Sequence, residues 1–229
     1  MQQPSLSSLE HTIGYHFKNP YLLECALTHS SFANEQKIHK YSDYERLEFL
    51  GDAVLEMISS AFLFHKYPDM KEGRLSKLRA SLVCEAALSA VARQMDLGSY
   101  IRLGKGAEAG GTRDKDAVLC DVTEALIGAM YLDSDDIPTV RRFVLDNILN
   151  DIDHKQYFYD GKSILQEEIQ RQGQKIRYEV LDRIGPEHQM EYVVGLFIDE
   201  ILVTKGKGKS KKAAEQDAAY QYLTSRHKI

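Results

Sequence analysis

The stretch ERLEFLGDAVL at residues 45–55 decides the fold of the first part of the chain. Read as a helix, with about 100° of rotation per residue, it places Glu45, Glu48 and Asp52 within about 60° of one another. Apolar residues gather on the opposite side, as a helix that packs on a core requires. They are Leu47, Leu50, Val54, Met57, Ile58 and Ala61. An acidic face of this kind is by itself most often solvated surface. Phe49 argues against that interpretation, because its ring projects on the acidic side and needs another surface to cover it.

A second acidic pair lies in a segment, residues 117–130, that is apolar almost all round. Such a helix is normally buried, and burying carboxylates without partners is costly. Asp121 and Glu124 are three residues apart and share one face, near the small residue Gly128. No lysine or arginine occurs between residues 115 and 141, so the helix does not supply its own counter-charge.

Two acid-bearing helices that face each other repel unless they share divalent cations. Carboxylates without His or Cys suit hard ions such as Mg²⁺. The predicted ligands are Glu48, Asp52, Asp121 and Glu124. A carboxylate-bridged di-iron protein would also place acids on facing helices, but it needs Glu-x-x-His pairs, and the sequence has none.

Three stretches together closely resemble bacterial ribonuclease III. They are ERLEFLGDAVL, the D-x-x-E-A-L-I-G segment that begins at Asp121, and ALTHSSFANE at residues 26–35. The resemblance covers nearly the whole chain. It implies a homodimeric endoribonuclease that hydrolyses double-stranded RNA with Mg²⁺, or Mn²⁺ as a substitute. Its products would carry 5′-phosphate and 3′-hydroxyl ends, and its substrates would be ribosomal RNA precursors and other structured transcripts, including messenger RNA.

The resemblance also implies roles for single residues. Asp52 and Glu124 would be catalytic as well as metal-binding. Glu45 and Glu72 would lie near the metal, either as acids that contact its ligands or as additional acids. Phe49 would insert into a pocket on the partner subunit, which would explain its place on the acidic face. A non-catalytic regulator that binds double-stranded RNA remains an alternative, although such a protein could dispense with the four acids.

Composition is that of an ordinary soluble globular protein, with 43% hydrophobic and 28% charged residues among 229. Three scattered cysteines form neither an even disulfide framework nor a zinc-ligand spacing. The first residues, MQQPSLSSLEH, lack the basic and apolar regions of a signal peptide. No apolar run approaches the ~20 residues of a membrane span. We therefore expect a cytoplasmic protein with no membrane partner.

The net charge of −5 is unevenly distributed. From residue 160 onward there are 12 Lys and Arg against 11 Asp and Glu, whereas the preceding part has 17 against 23. The excess of acid therefore accompanies the carboxylate clusters, and net charge alone does not reveal a protein that binds nucleic acid.

The first domain, residues 1–150, is predicted to be all-helical. Ser42 or Asp43 would cap the helix that carries the signature and runs to Lys66. A single long helix over residues 74–95 would end at Gly98, and residues 104–114 would form a mobile loop. The remaining predicted helices cover residues 6–17, 21–27, 115–132 and 137–149.

The second domain, residues 161–229, is predicted to be a small α+β domain after a linker at residues 151–160. Its order is α-β-β-β-α. The helices are predicted over residues 163–172 and 211–224, and the strands over 175–184, 189–198 and 200–204.

Five lysines lie within eight residues that contain no acid, in a Gly-rich loop leading into the last helix. They are Lys205, Lys207, Lys209, Lys211 and Lys212. Lysines at a helix N-terminus oppose the macrodipole unless an anion sits there, and phosphates are the obvious anion.

The strand order and the sequence GKGKSKKAAEQDAA resemble a double-stranded RNA-binding domain. That resemblance implies minor-groove contacts from the first helix of the domain, made by Ser163, Gln166, Glu167 and Gln170. His188 would reach the next minor groove. Lys209, Lys211 and Lys212 would contact the phosphates between the two grooves, so that shape is recognised more than sequence.

Overall fold

A computed structural model describes residues 4–38, 42–150, 152–186 and 190–227, with the backbone alone described at residues 153–160 and 227. The chain divides into two compact units, Met1–Asn150 and Asp151–Ile229. The first is helical, and the second combines helices with a three-stranded sheet. The predicted fold class is therefore confirmed. Within the described ranges, no helix combines the length and hydropathy that crossing a membrane requires.

The described part of the first unit contains ten α-helices and one 3₁₀ turn. They are α1 (Leu6–Ile13), α2 (Pro20–Ala26), α3 (Ser30–Gln36), α4 (Glu45–Lys66), α5 (Glu72–Leu82), α6 (Glu85–Gln94), α7 (Leu97–Tyr100), α8 (Lys105–Ala109), the 3₁₀ turn Thr112–Asp114, α9 (Asp116–Ser134) and α10 (Ile137–Asn147). Helix α3 is not among the helices predicted from the sequence.

Helices α4 and α9 form the centre of this unit and make its most extensive contact. Nearly the whole apolar surface of α9 is buried, as predicted from its composition. The buried face of α4 differs from the prediction, because it is centred on Gly51, Leu55 and Ile58, whereas Met57 and Ala61 are exposed. The acids of α4 consequently lie at the edge of its buried face, not opposite it. The predicted cap is also wrong, since Tyr44 is the N-cap residue and makes no side-chain capping bond.

The long helix predicted over residues 74–95 is two helices, α5 and α6, which are separated at Val83 and Cys84. Neither glycine nor proline marks this break, so its cause is tertiary: Leu82 and Leu88, one on each helix, are both completely buried. Gly98 does not end a long helix either. Instead, Asp96 adopts the left-handed conformation, and Gly98 lies inside the short helix α7.

The segment predicted as a mobile loop, residues 104–114, contains α8 and the 3₁₀ turn. Arg113 holds it in place. Its guanidinium donates to the carbonyl oxygens of Gly98 and Ile101, the latter at 2.8 Å, and is ion-paired with Glu108. The side chain of one arginine, bonded to two main-chain oxygens and one carboxylate, thus orders a stretch whose glycines suggested mobility.

The second unit consists of α11 (Ile152–Arg171), β1 (Ile176–Ile184), β2 (Glu191–Ile198), β3 (Ile201–Gly208) and α12 (Lys211–His227). The strands form an antiparallel sheet in the order β1-β2-β3. Buried residues from both helices and the central strand make the core, among them Leu165, Leu196 and Leu223. Helix α11 begins earlier than predicted, so residues 152–160 of the expected linker are helical.

Strand β3 is longer than predicted and includes Lys205 and Lys207, which were expected in a loop. The glycine between them explains why. A Cβ on Gly206 would lie 2.2 Å from the backbone nitrogen of Ala218 on α12. The glycine therefore marks a close approach between strand and helix, and the two lysines face the other way.

Asp133, near the end of α9, ties the start of the chain to the helical core. Its carboxylate accepts hydrogen bonds from the hydroxyl of Tyr15 at 2.7 Å and from the backbone N–H groups of Lys18 and Asn19 at 2.8 and 2.7 Å. Although burial by itself acts in the opposite direction, these bonds hold the pKa of Asp133 below its usual value.

We expect Asp133→Asn to lower the free energy of unfolding by about 1–3 kcal/mol at pH 7, because an amide cannot accept all three bonds. A folded pKa below the unfolded one stabilises the protein above the unfolded pKa, and this stabilisation disappears as the pH falls through the folded value. Urea titrations should therefore show the difference between wild type and variant shrinking below about pH 4. Asp135→Asn is the control, since Asp135 is exposed and asparagine tolerates its φ of 54°. An equal loss in both variants would contradict the role of Asp133.

Candidate active site and nucleic-acid interface

Two glycines set how closely α4 and α9 approach each other. A Cβ on Gly51 would lie 1.7 Å from the carbonyl oxygen of Glu124, and a Cβ on Gly128 would lie 2.2 Å from the carbonyl oxygen of Leu47. Only residues without side chains allow two helix backbones to come this close. The acids that flank these glycines on each helix are brought together by the crossing.

Burial and the charges of neighbouring carboxylates raise the pKa of two acids at this crossing, Glu124 and Glu48. Burial raises the pKa of Glu124 to about 7, and the charges of Asp52, Glu48 and Asp121 contribute to the rise. Burial likewise raises the pKa of Glu48 to about 6, with contributions from Asp121, Glu45 and Asp52. The structure therefore brings the four predicted ligands into one electrostatic group, with the exposed Glu45 at its edge.

The chemistry of this group fits a hard divalent cation, although the side chains are not arranged as a finished ligand set. Among the described residues, no three His, Cys, Asp or Glu side chains converge closely enough to hold a metal ion. The fit rests on the donors, which are carboxylates that repel one another: Glu48, Asp121 and Glu124 are half-buried, and Asp52 is exposed. A divalent cation at the crossing would relieve that repulsion.

Three residues around Asp121 were not identified from the sequence as part of the site. The hydroxyl of Tyr44 donates to Oδ2 of Asp121 at 3.2 Å. Burial raises the pKa of Asp121, and the bond from Tyr44 opposes this rise. The charge of Glu85 raises the pKa of Asp121 further, whereas His29 acts to lower it. Glu85 opens α6, so it reaches this position because of the break between α5 and α6 that the sequence does not signal. His29 also caps α3, because its Nδ1 accepts the N–H of Ser31 at 3.0 Å.

Glu72 is not brought to the acid group within this chain. It is exposed in the first turn of α5 and accepts a bond from the hydroxyl of Ser76 at 2.8 Å. Its neighbours across the cleft, Ser60 and Phe64, belong to the C-terminal half of α4. It lies two to three helical turns from Asp52 along that helix.

Phe49 is 81% exposed, more than any other large hydrophobic residue described. Beside it is a cavity of about 610 Å³. Its lining is largely apolar: Tyr21, Leu22, Cys25, Leu47, Leu50, Leu132 and Phe49 itself, with Asp43, Glu45 and Arg46. A projecting ring and a hollow therefore occupy the same face of the unit.

In the second unit, the residues predicted to contact RNA on α11 share a face. Ser163, Gln166 and Gln170 are exposed and spaced by three and four residues, whereas Glu167 is half-buried. Glu167 also pairs with Arg171 at 3.4 Å, so its carboxylate is partly engaged. His188 lies outside the described residues.

Lys209, Lys211 and Lys212 are exposed where β3 leads into α12. The hydroxyl of Ser210 accepts the N–H of Ala213 at 3.1 Å, as an N-cap residue does. The lysines therefore surround the N-terminal end of a 17-residue helix, where phosphate is favoured by both the dipole and the side-chain charges.

Comparisons with known proteins find relatives of both units. Residues 19–152 match the family described as Ribonuclease-III-like, and residues 162–225 match the double-stranded RNA binding motif. The chain is 45% identical over 223 residues to the Ribonuclease 3 of Caldanaerobacter subterraneus subsp. tengcongensis, covering 96% of this chain and 97% of that protein. It is 42% identical over 228 residues to the Ribonuclease 3 of Enterococcus faecalis, covering 98% and 99%.

A solved structure is also similar. The nuclease domain of the ribonuclease III of Campylobacter jejuni is 40% identical, with a TM-score of 0.59, and the match covers 63% of this chain and 96% of that domain. The structure of that Campylobacter domain is described as showing flexibility in the region involved in its dimer formation.

Proposed function

This chain belongs to the bacterial ribonuclease III family and is an endoribonuclease of double-stranded RNA, and we propose that its reaction depends on a divalent cation. Glu48, Asp52, Asp121 and Glu124 would hold the cation, Mg²⁺ or in its place Mn²⁺. The observation that supports this assignment is the glycine-packed crossing of α4 and α9, where burial and neighbouring carboxylates raise the pKa of Glu48 on one helix and of Glu124 on the other.

A bound divalent cation supplies charge neutralisation and water activation to phosphodiester hydrolysis. The protein's part is to hold carboxylates at fixed positions on two rigid helices. Asp52 and Glu124, one from each helix, are the residues we assign to catalysis as well as binding. No nucleophilic side chain is required, and the products would carry 5′-phosphate and 3′-hydroxyl ends.

The second unit would deliver the duplex. We assign minor-groove contacts to Ser163, Gln166, Glu167 and Gln170, with the engaged Glu167 as the weakest of these. We assign phosphate contacts to Lys209, Lys211 and Lys212, and a second groove contact to His188. Such contacts read the A-form shape, which suits the processing of ribosomal RNA precursors and other structured transcripts in the cytoplasm.

The decisive experiment uses the full-length protein and a labelled perfect RNA duplex, with Mg²⁺, with Mn²⁺ and with EDTA. Cleavage that requires the cation and leaves 5′-phosphate ends is the expected result. Undiminished cleavage in EDTA would exclude the proposed metal dependence. A single-stranded RNA of the same sequence is the substrate control.

The assembly we propose is a homodimer in which Phe49 of each subunit enters the cavity of the other. A protruding ring beside a hollow on one face makes that face self-complementary under two-fold symmetry. Phe49→Asp should therefore weaken the dimer by several kcal/mol, because it would bury an unpaired charge. Sedimentation at micromolar concentration should show monomers.

Phe64→Asp is the matched control, since Phe64 is also an exposed aromatic residue of α4, 67% exposed. It lies 15 residues further along the helix, about 22 Å away. If Phe49→Asp sediments as a dimer while remaining folded, the interface assignment is wrong.

The phosphate contacts can be measured through salt. Lys211→Ala with Lys212→Ala should weaken the binding of unrelated duplexes to a similar extent and flatten the slope of log K against log salt by about 1 to 2. Lys205→Ala with Lys207→Ala removes the same charge from the face of β3 that points away from α12, and should change the slope less. Equal slopes for both pairs would show that position does not matter and would remove the assignment to the start of α12.

A further inference from the structure

Tyr44 is a buried residue at the start of α4 whose ring and backbone are both fixed. It is 5% exposed. Its backbone N–H donates to the carbonyl oxygen of Thr28 at 2.9 Å, and its own carbonyl oxygen accepts the N–H of Glu48 at 2.8 Å. Its ring meets the ring of His29 edge to face, with centroids 5.7 Å apart. These contacts leave the hydroxyl with one defined direction.

That hydroxyl points at the acid group. It donates to Oδ2 of Asp121 at 3.2 Å, which joins residues 77 positions apart in the chain. Within the described part of the chain, no other side chain is seen to hydrogen-bond to this carboxylate. A neutral hydroxyl orients a carboxylate without cancelling its charge, as a lysine or arginine would. The second oxygen and the negative charge remain for a cation.

Glu124, the second carboxylate that α9 contributes to the acid group, lacks a comparable donor among the described bonds. Oε1 of Glu124 is met by the thiol of Cys120 at 3.9 Å, and a thiol is a weak donor. Asp121 is therefore the more firmly oriented of the two.

We propose that Tyr44 is a positioning residue of the cleavage reaction, whose hydroxyl holds Asp121 in the orientation in which its free oxygen binds the divalent cation. The inference rests on the proposed function, because it concerns the cation that Asp121 is proposed to hold. Hydrogen-bonded partners of metal ligands commonly contribute 10- to 100-fold to metal affinity or activity.

A purely structural role is the alternative, and the same unit offers a matched pair to separate the two. The hydroxyl of Tyr15 donates to Oδ2 of Asp133 at 2.7 Å, at the far end of α9. Tyr15→Phe and Tyr44→Phe therefore each remove one hydroxyl from one tyrosine–carboxylate pair. Only the second pair lies at the acid group.

The test measures Mn²⁺ binding by calorimetry, thermal unfolding, and kcat and KM on a perfect duplex for wild type and both variants. For Tyr44→Phe we expect Mn²⁺ affinity and kcat to fall about ten-fold, with KM nearly unchanged. For Tyr15→Phe we expect a lower melting temperature with unchanged Mn²⁺ affinity and kcat. Adding Tyr44→Phe to Asp121→Asn should cost no further Mn²⁺ affinity, because the hydroxyl acts through that carboxylate.

Two outcomes would overturn the inference, and they are distinguishable. If wild type binds Mn²⁺ and Tyr44→Phe binds it equally well with unchanged kcat, Tyr44 has no positioning role, whatever its melting temperature. If wild type itself binds no Mn²⁺ and cleaves in EDTA, the metal-dependent function fails, and the inference fails with it. An additive loss in the double variant would show that Tyr44 does not act through Asp121.

Discussion

Glu124→Gln is expected to reduce cleavage of duplex RNA by about two to three orders of magnitude, because several kcal/mol of charge stabilisation would be lost with the carboxylate. Glutamine keeps the shape of the side chain and most of its hydrogen-bonding capacity. Duplex affinity should remain near that of wild type, since the substitution leaves the second unit unchanged. Cleavage in Mg²⁺ and gel-shift affinity in Ca²⁺, measured on the same duplex, separate the two effects.

Asp116→Asn is the control for this prediction. Asp116 is an acid of the same helix, but it is exposed and paired with Arg93. We expect it to cut RNA at nearly the wild-type rate. Near-normal Mg²⁺-dependent cleavage by Glu124→Gln would remove Glu124 from the catalytic site, together with the two-helix arrangement of the metal centre.

Glu124→Gln should also change how the free energy of unfolding depends on pH in EDTA. The folded pKa of Glu124, about 7, is above the ordinary value for glutamate. A raised carboxyl pKa means that the folded state binds more protons than the unfolded state, so wild-type stability should fall as pH rises from about 5 to 8. The glutamine variant should lose the part of this fall that belongs to residue 124.

Gly51→Ala is expected to destabilise the first unit by about 3 kcal/mol or more, at the upper end of the usual cost of overpacking. The added Cβ would lie 1.7 Å from the carbonyl oxygen and 2.5 Å from the carbonyl carbon of Glu124, which are backbone atoms that move only if α9 moves. The helices must therefore separate, which also parts the acids of α4 from those of α9. Urea unfolding and duplex cleavage should both register the change.

Gly73→Ala provides the opposite expectation at a second helical glycine. A Cβ at Gly73 would meet nothing within 4 Å, so alanine should be neutral or stabilising by up to about 1 kcal/mol, as helix propensity alone predicts. If Gly51→Ala is as stable as Gly73→Ala, the close crossing described here is wrong.

Helices α4 and α9 were predictable because their signals are local. The spacing of the apolar residues predicts the helices, and acids among residues that must be buried indicate a common binding site. Sequence periodicity could not predict which face of α4 packs against α9. The glycines decide that, because the helix surface with the least bulk makes the closest contact, and Gly51 draws the buried face away from Met57 and Ala61.

The break between α5 and α6 was beyond local sequence signals, since Val83 and Cys84 contain no helix-breaking chemistry. Tertiary packing decides it, and its consequence reaches the site by placing Glu85 near Asp121. Tyr44 was missed for a similar reason. Its partner is 77 residues away, and a tyrosine before a helix has many possible roles until that partner is known.

Glycine-rich stretches were misjudged in both units. In residues 104–114 one arginine provides enough bonds to the backbone to order the segment. In residues 205–208 the glycines belong to a strand. Both cases show that glycine records a local backbone or packing requirement, which mobility satisfies in some proteins and close packing in others.

In strand β3, residues that face α12 alternate with residues that face away from it. Gly206 and Gly208 face α12, where a Cβ would come within 2.2 and 2.6 Å of helix backbone, while Lys205 and Lys207 face the other way. Exchanging either lysine alters charge only. Deleting one residue ahead of them would shift the alternation by one place, drive lysines against the helix and leave gaps on the outside. This strand should therefore tolerate substitutions at its outward-facing positions but no change in its length.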